Sequence, residues 1–102
     1  MDIGVLTVPL GDQSLDETLS YLSGIGVDAV ELGCGGYPGD DHLDRAAVLD
    51  DEAAQAALRD TLDEYDLRIS ALATHNNPLH PDDDRAEEAD TELREAIRLA
   101  DQ

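Results

Sequence analysis

With 102 residues the chain is one small domain or a portion of a larger one, and a unit of this size buries only roughly 60–65% of the surface its unfolded chain exposes. Its 25 acidic residues against six basic ones give a net charge of −19, a field that excludes nucleic acid and anionic lipid as partners. Cys34 is the single cysteine, so no internal disulfide forms, and with no signal-like leader and no apolar run of roughly 18 residues the expected location is the cytoplasm.

Residues 3–8, IGVLTV, are short, apolar and β-branched, and the turn residues Pro9, Gly11 and Asp12 follow, which reads as a buried strand. In SLDETLSYLSGIG, Ser14 at the N-cap and Glu17 three residues on form a capping box, and Leu15, Leu19 and Leu22 recur at helical spacing. The spacing predicts a helix over 15–23, with Gly24 or Gly26 as its stop. VDAVEL, 27–32, reads as a second strand, and the glycine-rich loop GCGGYPGDD follows it. The next helix presents Ala54, Leu58, Leu62 and Tyr65 on one face, with Asp50 or Asp51 as its cap and room for a short helix before it. RISALAT, 68–74, is the third strand. After a loop with two histidines, the run to Gln102 predicts a helix with Ala86, Ala89, Leu93, Ile97 and Ala100 inward and Glu88, Glu92 and Glu95 in water. No linker divides residues 1–102, and the order βαβαβα calls for parallel strands joined by right-handed crossovers.

In parallel α/β sheets the loops leaving the carboxyl ends of the strands share one side, and ligands bind there. Three loops qualify, 9–13, 33–42 and 75–82. His75 directly follows the third strand, and an imidazole titrating near neutral pH suits proton transfer or metal binding, or else a hydrogen bond to a neighbouring loop. His80, between Pro78 and Pro81 in the chain, is less tightly fixed. Asn77 is held extended by Pro78, so its amide suits either a substrate hydroxyl or turn chemistry. Glu31, between Val30 and Leu32, is expected to point away from their face, toward a ligand or a solvated strand end. GCGG could offer amides to a phosphate, but no helix start or Gly-Lys-Ser follows, and a flexible turn fits as well. Cys34, His42, His75 and His80 lack the close spacing of zinc sites, and no neighbouring base activates Cys34. The first loop, PLGDQS, lacks a phosphate-cradling pattern, which disfavours a nucleotide-binding flavodoxin-like sheet.

MDIGVLTVPL at the start, GIGVDAVELG at 24–33 and above all HNNPLHPD at 75–82 resemble the N-terminal part of the sugar phosphate isomerase/epimerase family, the xylose-isomerase-like TIM barrels, in a haloarchaeal style. The similarity extends over essentially the whole chain. The family pattern at the third strand end is His-Gly-Asn-Pro-Leu-His-Pro, and Asn76 stands in the glycine's place. What the resemblance implies is the first three units of a (β/α)8 barrel, which takes about 250 residues in full. It also implies a sugar or sugar phosphate as substrate, His75 as proton shuttle or hydroxyl contact, and Glu31, Asn77 and His80 on the substrate-facing rim. A divalent metal is implied too, with its ligands on later strands and none in this chain. The competing expectation is a non-catalytic barrel fragment, stable only when the exposed edge of its third strand pairs with another chain or with a second copy.

The acidic excess falls on helical faces between patterned apolar positions, which disorder does not produce, and a surface adapted to high salt accounts for it. In molar salt the Debye length is about 3 Å, so repulsion between carboxylates is screened. Folding is therefore expected to depend on salt: circular dichroism should show structure gained as KCl rises to the molar range. Full structure in dilute buffer, unchanged by KCl, would contradict this.

Overall fold

The Ser14 hydroxyl accepts a hydrogen bond from the Glu17 amide at 3.1 Å, and this cap starts helix α1 (Leu15–Gly24). The computed structural model describes all of residues 1–102. Pro9, which has no N–H to donate, ends the first strand early. The strand β1 covers Gly4–Leu6, and Val8–Leu10 form one 3-10 turn instead of continuing the strand to residue 8. Gly26, at φ 91°, is the left-handed stop after α1. β2 (Ala29–Gly33) and β3 (Arg68–Ala73) complete the strands. Asp44 caps a short α2 (Arg45–Val48), Asp51 caps α3 (Glu52–Glu64), and Asp82 caps α4 (Asp83–Asp101).

All strand pairs are parallel, and their order across the sheet is β1-β2-β3. Right-handed crossovers in an order that never reverses put every helix on the same face. The core agrees, because Leu19 and Leu22 of α1, Leu62 of α3, and Ala96 and Leu99 of α4 join Val30 and Leu32 of β2 in one cluster. Val5, Ile69 and Leu72 pack against that cluster from the flanking strands. No helix covers the opposite face, whose middle row is Leu6, Glu31 and Ala71.

Strict alternation would send Ile69 and Leu72 to opposite faces. The register shifts between Val30 and Glu31, so that Val30 pairs with Ile69 but Glu31 pairs with Ala71. Ser70 is the extra residue of this bulge, and its hydroxyl donates to the Val30 carbonyl at 3.2 Å. The bulge puts both large β3 side chains on the helix side and leaves Ala71 on the bare side.

Helix α4 is rotated from the face that its apolar residues predict. Ala89, Ala96 and Leu99 are buried, whereas Leu93 is 41% and Ile97 62% exposed. Glu92 and Glu95, expected in water, are half-buried instead. The reason is Arg45, whose Nε donates to Glu95 at 2.8 Å, while Asn76 donates to Glu92 at 3.0 Å. These bonds hold the acidic side of α4 against the end of β2. Farther along, Asp50 adopts φ 61° and accepts from both Arg98 and the Gln102 amide, at 2.5 and 2.6 Å. These contacts pull the carboxyl group of Asp50 below its ordinary range, the Gln102 bond most strongly.

Only 20 of the 102 residues are buried, which places stability at the low end of the usual ~5–15 kcal/mol. Leu99→Ala is expected to cost about 2–5 kcal/mol, enough to unfold much of the population. Ile97→Ala, on the exposed side, should change stability by no more than about 0.5 kcal/mol. Urea titrations in molar KCl distinguish the two, and the reverse ranking would contradict the observed rotation of α4.

Candidate functional site at the strand carboxyl ends

Parallel pairing gathers residues 7–14, 34–44 and 74–82 at one pole. The middle loop is closed by its own backbone: Gly35 N–H donates to the Gly39 carbonyl at 2.9 Å and Gly39 N–H to the Gly36 carbonyl at 3.1 Å. Gly35, Gly36 and Gly39 take φ of 143°, 65° and 73°, which other residues rarely adopt. Tyr37 N–H then donates to the His75 carbonyl, and Cys34 N–H to the Ala73 carbonyl, both at 2.9 Å. A Cβ at Gly36 would lie 2.8 Å from the His75 carbonyl oxygen, so this approach requires glycine. Four amides of the loop are thus spent inside the protein, and the phosphate cradle that GCGG suggested does not form.

His75 itself is exposed, and its ring makes no hydrogen bond to the protein. His80 is half-buried, and its Nδ1 accepts from the Asp82 amide at 2.9 Å. The neutral His80 ring therefore carries its hydrogen on Nε2, and one side of it is committed to the turn that precedes α4. Asn77 Oδ1 accepts from the Leu79 amide at 3.0 Å, an Asx turn, and its side-chain NH2 stays free. Glu31 lies on the bare face between Leu6 and Ala71, opposite in direction to Val30 and Leu32, as the alternation predicts. Its half-buried carboxylate has no ion-pair partner. Gly33 pairs with Ala73, so Glu31 sits two residues below that rung and His75 two above it. Four residues of strand rise span roughly 13 Å, so the two share a pole without touching.

Two further groups escaped the sequence pattern. His42 is buried: its Nε2 lies 3.0 Å from the Gln13 carbonyl and 3.3 Å from the Thr18 hydroxyl, and its Nδ1 lies 2.9 Å from the Thr7 hydroxyl. A carbonyl only accepts, so Nε2 carries the hydrogen and Nδ1 of the neutral ring accepts from Thr7. The imidazole ties the end of β1 and the start of α1 to the long loop after β2. Arg45 is the other group, donating to the Cys34 carbonyl at 2.7 Å as well as to Glu95. Neither position carries a spacing signal, because each is defined by partners 11 to 50 residues away.

Burial pushes the Cys34 thiol above its ordinary 9.0, while the Arg45 charge and a backbone hydrogen bond at Ala73 pull the other way. At neutral pH it is a protonated, fully buried thiol, unsuited to attack a substrate. No three His, Cys, Asp or Glu side chains converge as metal ligands. A cleft of about 310 Å³ lies away from the pole between α2, α3, β3 and α4, and includes no histidine or carboxylate in its lining. No helix is long and apolar enough to cross a membrane. The chain matches no protein-family model, no curated protein and no solved structure.

His42→Ala removes the ring partner of two threonine hydroxyls and a carbonyl, and should cost about 1–3 kcal/mol by urea unfolding; an unchanged midpoint would contradict the tie. For Cys34 the sign follows from its raised pKa. Below pH 9.0 the thiol is protonated in both the folded and unfolded chain, and its burial contributes fully; as pH rises, the unfolded chain ionises first and stability falls. The Tyr65 phenol, raised by its hydrogen bond to Asp16, adds a similar loss only above 10.0. Cys34→Ala should therefore flatten the decline in stability that begins near pH 9.0, and equal slopes in both proteins would contradict this.

Proposed function

We propose that the chain is the leading three βα units of a (β/α)8 barrel of the sugar phosphate isomerase/epimerase kind, and that its pole forms part of the rim where a proton moves between sugar carbons. The observation that carries this reading is the one-sided sheet. A strand order without reversal, helices on one face and a bare second face holding Glu31 are what the wall of a barrel has and a doubly wound sheet lacks. His75, with its ring free at the end of β3, takes or delivers the proton. The free NH2 of Asn77 and the Nε2–H of His80 hold substrate hydroxyls, and the Glu31 carboxylate faces the same interior.

The divalent metal implied by the resemblance would polarise the sugar carbonyl when bound. The residues of this chain do not converge into such a site, so under this reading its ligands lie on other strands and none of the roles above runs through it. Under this reading the reaction takes place in the cytoplasm. A second reading is favoured by the exposed Leu93 and Ile97 of α4 and by the open edge of β3: a non-catalytic fragment, stable only when another chain pairs with β3.

A metal-supplemented isomerase assay across several ketoses, following proton exchange with solvent, tests both readings. The 102-residue chain alone should be inactive, whereas a version continued through the missing βα units should interconvert at least one sugar. His75→Ala in that longer protein should lower kcat/KM by about 10²–10⁴. Turnover by the short chain without added protein would overturn the fragment reading, and a longer protein inert toward every sugar would overturn the isomerase reading.

A further inference from the structure

One side chain at the pole is used neither by packing nor by the roles above. Tyr37 stands 90% exposed, in a chain with three Tyr and no Phe or Trp. The loop that raises it is built firmly, with the Gly35–Gly39 bonds closing its base and the Tyr37 amide fixed to the His75 carbonyl. An aromatic ring is therefore held in water directly beside the loop that carries His75, Asn76 and Asn77. A tyrosine face is apolar with partial negative charge, and it suits the polarised C–H bonds of a sugar ring or polyol chain.

The charges nearby decide which sugar. There is no lysine. Arg45 is taken by Glu95 and the Cys34 carbonyl, Arg59 by the Gln102 carbonyl, Arg68 by Asp2, Arg94 by Asp90 and Arg98 by Asp50. Arg85, in the first turn of α4, follows Asp82, Asp83 and Asp84 and precedes Glu87 and Glu88. The loop amides of Cys34, Gly35, Tyr37 and Gly39 are internally bonded. A phosphate dianion would thus find one unpaired arginine, Arg85, set among five acidic residues in the sequence, and no amide nest in the 34–39 loop to hold it.

We propose that Tyr37 is the stacking platform for an uncharged polyhydroxylated ligand, a sugar without phosphate, whose hydroxyls meet the polar groups of the 75–80 loop. This rests on the sugar reading of the same pole and narrows it. The test is NMR of ring-labelled tyrosines in the full chain in molar KCl, with Tyr37→Phe assigning the signal. D-Fructose, D-xylulose and inorganic phosphate are the probes. Either sugar should shift the Tyr37 signal saturably and phosphate should leave it in place, and Tyr37→Ala should weaken the sugar's Kd roughly ten-fold. A shift caused by phosphate, or sugars that move no Tyr37 signal, would overturn the proposal. In the longer protein, turnover with KM unchanged by Tyr37→Ala sinks the platform and leaves the isomerase reading standing. A saturable Tyr37 shift with no turnover anywhere does the reverse.

Discussion

Two parallel strands cannot be joined by a tight turn; the chain must cross back over the sheet, and it does so with one hand. In this protein the strands are laid down in the order in which they are made, with no reversal, so each crossover falls on the same side. From that constraint follow the single core, the uncovered face with Glu31 at its centre, and the gathering of three loops at one pole. A reversal of strand order would have covered both faces and buried Glu31 against a helix.

The acidic composition shapes the interior as well as the surface. With six arginines for 25 acids, each buried cation is scarce, and Arg45 sets the rotation of α4 by drawing Glu95 inward. A half-buried charge without its partner is far more costly than two more exposed apolar side chains. Leu93 and Ile97 consequently face outward. Packing of the helix layer and the exposed stripe thus share one origin in charge.

Local chemistry made much of this legible in the sequence. Ser14, Asp51 and Gly26 act through partners within three or four residues, and each takes the role its neighbours require. Glu31 is legible because alternation in a strand is a local rule. What escaped was set by distant partners. The extra residue at Ser70 answers to the register of β2, the rotation of α4 answers to Arg45, and the burial of His42 answers to two threonines on other elements. The apolar pattern of α4 misled because Ala89, Ala96 and Leu99 offer as continuous a stripe as Leu93 and Ile97, and only the electrostatics decide between them. At the pole, the sequence located the loops but not the division of labour within them. His80 and Asn77 each commit one polar atom to turn geometry, and His75 commits only its backbone.

The most direct test of the account is the reactivity of single cysteines on the two faces of the sheet, in a Cys34→Ala background in molar KCl. Ala71→Cys, on the uncovered face, should react with a thiol reagent nearly as fast as an unfolded control, whereas Leu72→Cys, one residue on and under the helices, should be protected until the chain unfolds. Protection at both positions would mean that both faces are covered, and neither the one-sided sheet nor the pole that depends on it would survive.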